Sequence, residues 1–180
     1  MSFGSQRKST KPSGPKPVTA TYLRNAAMHY ISAHAASAAM VRDVLIRRAK
    51  RRLVVKTLDT PTLDLIDAAI AELKALGLVD DARFAEGRTA VLARKGLSSR
   101  LIAHGLRTKG IAKETIEKSV SAGHFDELAQ ARRLVERKRL GAGRRGGMTP
   151  ETRRKDLAAL ARAGFTYAVS AQALDQPEDC

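Results

Sequence analysis

The chain repeats itself at a spacing of 54 residues. Residues 96–120 and 150–174 are two copies of one helix-turn-helix unit. The matching positions are Leu106, Gly110, Ile111 and Val120 in the first copy and Leu160, Gly164, Phe165 and Leu174 in the second. A unit of this kind needs a neighbour to bury its apolar face, so copies stack into an elongated array. Because such arrays usually present binding surfaces, the repeat predicts a binding protein rather than a catalytic pocket.

Four glycines mark the ends of predicted helices, each followed by a bulky apolar residue. They are Gly77, Gly96, Gly110 and Gly164. Glycine tolerates the left-handed backbone that ends a helix, and the apolar residue beyond it can pack back on the last turn. Lys95, Lys109 and Arg162 stand just before three of these glycines, where a cation favours the carbonyl end of a helix. These charges therefore have a capping interpretation as well as a binding one.

The composition predicts an all-α chain. Aromatic residues make up 4% of the sequence and tryptophan is absent, so the core must consist of Leu, Ile, Val and Ala in thin helical packing. Thr60 and Thr149 each precede a proline and are expected to cap a helix. Asp80 and Asp81 are expected to start another helix, with Phe84 facing inward.

The sequence divides into four predicted segments. These are a disordered basic arm at 1–18 and three three-helix repeats at 19–79, 80–123 and 124–176. The third repeat contains a Gly-Arg loop, residues 141–147, which is expected to be flexible and lies where the third repeat is ten residues longer than the second. It lacks the pattern of a phosphate-binding loop, so nucleotide cradling is not predicted there.

The net positive charge of the chain predicts polyanionic partners. The formal net charge is +15 and the sequence pI is about 10.6, which suits nucleic acid, an acidic protein groove or an anionic membrane surface. Cys180 is the only cysteine, so no intrachain disulfide or thiol cluster can form. The uncharged stretch between Arg24 and Arg42 is 17 residues long, shorter than the roughly 20 that span a membrane. We therefore expect a cytoplasmic protein without a membrane partner.

No catalytic motif is present in the sequence. The four histidines lack the spacing that places metal ligands on one helical face, and no nucleophile motif occurs. The adjacent acids Asp80 and Asp81 have no third ligand nearby and are interpreted as a helix cap. Neither an enzyme nor a cofactor is predicted.

Three basic groups are candidates for partner binding. On the helix beginning near Ser98, Ile102 and Leu106 belong to the buried stripe, whereas Arg100 and Arg107 lie opposite. An ordinary solvated face remains the alternative interpretation. The full candidate set is Arg47, Arg48 and Arg51 in the first repeat, Arg94, Lys95, Arg100, Arg107 and Lys109 in the second, and Arg144 and Arg145 in the Gly-Arg loop.

Two segments resemble the RecX family of bacterial regulators of the RecA recombinase. They are residues 76–85, LGLVDDARFA, and residues 95–111, KGLSSRLIAHGLRTKGI. The resemblance implies a monomeric array of three-helix repeats that lies along the groove of the RecA–DNA filament and modulates, by inhibition, its assembly and ATP-dependent activity. Direct, sequence-independent DNA binding is the alternative function.

Two positions depart from the family pattern. Ala49 occupies the place of the turn glycine in the first repeat. Asp156, in the third repeat, stands at the position that the apolar Ile102 occupies in the second repeat. The apolar stripe of the third repeat is therefore expected to rotate onto Leu157 and Leu160.

Overall fold

The computed structural model describes residues 14–123, 125–144 and 147–175, and over these ranges the chain is all helical. The all-α prediction is therefore confirmed. The chain divides into two compact units, Met1–Val79 and Asp80–Cys180. None of the helices in the described ranges is long and apolar enough to cross a membrane.

In the first unit, the structure describes three helices within residues 14–79. They are α1 (Ala20–Ala33), α2 (Ala38–Leu53) and α3 (Thr60–Ala75). Their apolar faces meet in one core, where Leu23, Leu45 and Ile66 are fully buried. Each such side chain contributes about 2 kcal/mol by leaving water. Three helices of this length thus share a core that none could form alone.

The N-cap of α3 lies one residue before the predicted cap, Thr60. The side chain of Asp59, rather than Thr60, accepts the hydrogen bond from the backbone N of Thr62, at 3.1 Å. Pro61 stays in the first turn, where its missing N–H has no helical partner to lose. The shift arises because either residue type can cap, and the sequence alone does not choose between neighbours.

The end of α2 differs from the prediction. Ala49 is fully buried inside the helix, which continues to Leu53. The residue in the left-handed turn conformation is Val54, with φ of 60°. The placement of Ala49 at the turn was therefore wrong: the basic run around it is helical, and Ala49 faces the core from within that run.

The last residues of the predicted arm are attached to the first unit. Val18 packs against the core of this unit, and the backbone N of Lys16 donates to the carbonyl of Arg52 at 3.1 Å. The rest of the predicted arm, residues 1–13, lies outside the described residues.

The described residues of the second unit form six α-helices and one short 3₁₀ turn, at Gly141–Gly143. The helices are α4 (Asp81–Arg94), α5 (Ser99–Arg107), α6 (Lys113–Ala122), α7 (Glu127–Lys138), α8 (Pro150–Arg162) and α9 (Tyr167–Asp175). Asp80 and Thr149 cap α4 and α8 as predicted, and Phe84 packs, partly buried, at the edge of the core. The expected helix starts in this unit are therefore confirmed.

The four turn glycines all have a left-handed backbone. Their φ angles are 67° at Gly77, 65° at Gly96, 73° at Gly110 and 96° at Gly164. The apolar residues after the last two, Ile111 and Phe165, are buried. The left-handed glycines are therefore confirmed as helix ends, whereas Leu78, after Gly77, is exposed and does not show the predicted packing.

Two apolar clusters fill the second unit. One contains Ile102 and Leu106 and the other contains Leu160 and Phe165. Leu97 packs against both clusters and so joins the repeats at 96–120 and 150–174. The helices of these repeats therefore form one continuous body, which fixes α5 relative to α8.

Asp156 lies in the core instead of turning to solvent. Its side chain is almost completely buried, whereas Leu157 is only partly buried, so the expected rotation of the apolar stripe was wrong. Oδ2 of Asp156 accepts a hydrogen bond from the backbone N of Gly141 at 2.8 Å, and Oδ1 pairs with the guanidinium of Arg144. The start of the Gly-Arg loop is therefore anchored at Gly141 and Arg144, whereas residues 145–146 of the loop lie outside the described residues.

Candidate binding surfaces

Helix α5 presents a cationic face to solvent. Arg100, His104 and Arg107 are exposed, whereas Ile102 and Leu106 on the opposite side are completely buried. The helix is short, at nine residues, and strongly amphipathic, so burial of its apolar side determines which charges face outward. The predicted orientation of this helix is confirmed.

The cationic face of α5 forms one wall of a groove against α8. The groove has a volume of about 370 Å³ and contains four basic side chains, from Arg100, His104, Arg107 and Arg162. No acidic residue lines it, and none of the four makes an ion pair within the described ranges. Sequence reasoning gave Arg162 a helix-end interpretation as well as a binding one, and the structure places it beside the face of a different repeat.

Two contacts fix the start of α5 beside α8. The backbone N of Ser98 donates to the carbonyl of Ala163 at 3.0 Å, and Gly164 lies directly against the Ser98 side chain. Ser98 also caps α5 by accepting from the backbone N of Leu101 at 3.2 Å. The turn after α8 and the residue before α5 are therefore held to each other by a backbone hydrogen bond.

A third contact holds the same end of α5 from the side of α7. Glu127 accepts hydrogen bonds from both the backbone N and the hydroxyl of Ser99. A carboxylate at a helix N-terminus also stabilises the helix dipole. The carboxylate of Glu127 thus supports the start of α5.

The candidates Arg94 and Lys95 lie at the end of α4 and are exposed. Their backbone carbonyls accept hydrogen bonds from the guanidinium of Arg137, at 3.1 Å for Arg94. Arg137 therefore caps α4 from the neighbouring helix, a role that sequence spacing could not reveal. Neither Arg94 nor Lys95 lines the groove.

The remaining candidates of the second unit are placed less favourably for binding. Lys109 is partly buried and does not line the groove. Arg144 is paired with the buried Asp156, which neutralises its charge. Arg145 lies outside the described residues. The four basic residues of the groove, Arg100, His104, Arg107 and Arg162, are consequently the stronger binding candidates in this unit.

A second basic surface lies in the first unit, at the end of α2. Arg48 and Arg51 line a pocket of about 390 Å³ together with Arg52 and Lys16, whereas Arg47 is exposed outside it. The side chains of Arg48, Arg51 and Lys16 make no ion pair within the described part of the chain. Lys16 and Arg52 were not in the candidate set chosen from the sequence. They are 36 positions apart and come together only when the chain folds.

No group of three or more His, Cys, Asp or Glu side chains that could hold a metal ion occurs in the described ranges. Asp80 accepts hydrogen bonds from the backbone N atoms of Ala82 and Arg83, at 2.8 and 3.0 Å. The side chain of Asp80 therefore caps α4, as expected.

Comparison with known proteins identifies the family. A family model described as RecX, second three-helix domain, matches residues 80–120. The Regulatory protein RecX of Myxococcus xanthus (strain DK1622) is 37% identical over 174 residues, which cover 94% of this chain and 93% of the relative. The chain belongs to the RecX family. The resemblance of residues 76–85 and 95–111 to RecX is thereby confirmed.

Other RecX proteins agree with this assignment. Regulatory protein RecX of Agrobacterium fabrum (strain C58 / ATCC 33970) is 23% identical over 97% of this chain and 91% of its own length. The crystal structure of RecX from Lactobacillus salivarius matches with a TM-score of 0.60 at 20% identity, covering 86% of this chain and 93% of that chain. This structural likeness supports the all-helical RecX fold.

The RecX family model covers only one wall of the groove. Its range, 80–120, contains α4, α5 and most of α6, and so includes Arg100, His104 and Arg107. Arg162 lies in α8, outside that range. The groove therefore combines a cationic face of the RecX second domain with a cation contributed by the following repeat.

Proposed function

We propose that this RecX-family chain binds the RecA–DNA filament and inhibits its assembly, its ATPase activity and recombination. The observation that carries the proposal is the groove between α5 and α8, where four basic side chains converge without an acidic neighbour in the lining. The relatives that match are named regulatory proteins, which supports a regulatory rather than a catalytic role.

The groove chemistry suits an acidic protein surface. Arginine guanidinium groups bind carboxylates with two parallel hydrogen bonds, so Arg100, Arg107 and Arg162 can each recognise an Asp or Glu of the partner. The walls of the groove also contain the apolar atoms of Leu101 and Ala103, which favour a protein partner over a bare phosphate chain. We infer that a monomer in the cytoplasm makes this contact.

Titration into a RecA ATPase reaction that depends on single-stranded DNA tests the proposal. We expect the rate of ATP hydrolysis to fall as the protein is added, with RecA and DNA held constant. An unchanged rate at a several-fold molar excess over RecA would contradict it.

Direct DNA binding is the second candidate function, because the net charge of +15 is sufficient for it. Binding to naked DNA depends steeply on salt, since each phosphate contact releases counterions. We expect a salt concentration at which the protein no longer binds free DNA but still binds the RecA–DNA filament. If both interactions disappear together, the DNA-binding function is favoured.

A further inference from the structure

The pocket at the end of α2 is built from two separate parts of the chain. Residues 14–17 pass beside the last turns of α2, and the side chain of Tyr22, on α1, completes the wall. The lining residues are Gly14, Lys16, Tyr22, Arg48, Arg51, Arg52 and Val54. The pocket lies wholly within the first unit and is separate from the groove proposed to bind RecA.

Arg52 holds these parts together. Its Nε donates to the carbonyl of Pro17 at 2.8 Å, and its own carbonyl accepts from the backbone N of Lys16 at 3.1 Å. Its guanidinium also lies over the ring of Tyr22, 4.0 Å from the centroid. These three contacts hold residues 16 and 17 beside the end of α2, where Lys16, Arg48 and Arg51 line the same pocket.

The pocket concentrates positive charge without compensation. Four of its seven lining residues are cationic and none is acidic. The first acidic residue of the sequence is Asp43, so the preceding chain cannot neutralise the pocket. Cations near the last turn of a helix favour its dipole, which accounts for Arg51 and Arg52. The helix dipole does not account for Lys16, which comes from another segment. The positive charge of Lys16 repels the arginines of the pocket, and a bound anion would relieve that repulsion.

The backbone at the rim of the pocket is strained. Val54 has a φ of 60°, a conformation that a β-branched residue adopts at a substantial free-energy cost. Its side chain is 72% exposed, so burial in the core does not compensate for that cost. Strained backbone of this kind occurs preferentially where a ligand is held.

We propose that this pocket binds a phosphate group, with Lys16, Arg48 and Arg51 as the contacting residues. Guanidinium groups bind phosphate oxygens in pairs, and the lysine ammonium adds a third point of charge. Phosphate groups occur in a free oligophosphate, such as the chain of a nucleotide, and in the backbone of a nucleic-acid strand. This site does not depend on the RecA-binding function proposed above.

Binding by the full-length protein alone tests the site with two probes. Inorganic tripolyphosphate is titrated by calorimetry, and a labelled short oligothymidylate is titrated by fluorescence anisotropy, both at low salt. The pocket variant is R48Q/R51Q. The matched control is K56Q/R83Q, which also removes two charges, from exposed residues that do not line the pocket.

We expect the pocket variant to bind at least one probe about tenfold more weakly or worse, and the control to change by less than about twofold. Loss with tripolyphosphate indicates a free oligophosphate ligand, and loss with the oligonucleotide alone indicates a strand backbone. The proposal is overturned if the wild-type protein binds neither probe or if both variants lose affinity equally.

The variant R48K/R51K is a control that distinguishes a loss of binding from a folding defect. It keeps the charge but loses the paired geometry of the guanidinium groups, so we expect an intermediate affinity with unchanged helical circular dichroism. Wild-type affinity in this variant would show that charge alone explains binding and would also overturn the proposal.

Discussion

Gly164 lies so close to Ser98 that a Cβ atom on the glycine would stand 2.2 Å from Oγ of Ser98 and 2.8 Å from Cβ of Leu101. This contact joins the turn after α8 to the start of α5, the two helices that form the cationic groove. The backbone of Gly164 is also left-handed, with φ of 96°. The groove thus depends on the absence of a single side chain.

Substitution G164A should destabilise the second unit by about 2–4 kcal/mol, because it adds both backbone strain and overlap with Ser98. The matched control is G77A, where φ is 67° but no atom lies within 4 Å of the new Cβ. We expect about 1 kcal/mol there, from strain alone. Urea denaturation measures both, and equal losses would contradict the close packing at Gly164.

Substitution V54G should stabilise the protein by about 1 kcal/mol, because glycine adopts the left-handed backbone that valine resists. The side chain removed is largely exposed, so little burial is lost. Thermal unfolding of V54G against the wild type checks the sign. A lower melting temperature would show that Val54 is not strained in solution.

Substitution D156A should destabilise the second unit by about 2–3 kcal/mol. It leaves the buried backbone N of Gly141 without its acceptor and removes the partner of Arg144. The variant D156N keeps an acceptor oxygen for Gly141 and should lose less. If chemical denaturation gives the same stability for D156A and the wild type, the anchoring of the Gly-Arg loop is wrong.

Acid should weaken the contact between α8 and α9. The hydrogen bond from Arg153 lowers the pKa of Asp175 below its ordinary value of 3.8. A carboxylate with a lowered pKa stabilises the fold above its unfolded pKa, and that stability is lost as the pH falls through the lowered value. In D175N the free energy of unfolding should therefore be lower than wild type at pH 7, with the two curves converging as the pH falls below 3.8. Parallel curves across this range would contradict the ion pair.

The turns could be predicted from the sequence because they depend on local chemistry. Glycine followed by an apolar residue specifies a left-handed helix end within a few residues, and this held at Gly110 and Gly164. The buried position of Asp156 could not be predicted, because it depends on Arg144 and Gly141, which meet it only after α8 has folded back. A helical pattern alone assigns such a carboxylate to solvent.

The candidate groove was predicted only in part for the same reason. The amphipathic pattern of α5 places Arg100 and Arg107 on one face, since they share a helix. Arg162 joins them from another repeat through the contact between Gly164 and Ser98, which no spacing rule contains. Lys109 lies just after α5 and stands shortly before a glycine, as Arg162 does at the end of α8, but Lys109 does not line the groove.

The most direct test of the central claim is the affinity of R100E/R107E/R162E for the RecA–DNA filament. The control is R83E/R88E/K118E, which changes the net charge equally at exposed residues of the same unit that do not line the groove. Single exposed charges contribute about 1 kcal/mol or less, so three reversals together should weaken binding at least about tenfold. Fluorescence anisotropy of filaments on labelled single-stranded DNA, over a range of salt, measures this. Weaker binding for the groove variant alone, with helicity unchanged in both, is the predicted result. Wild-type affinity in the groove variant, or equal loss in the control, would contradict the account.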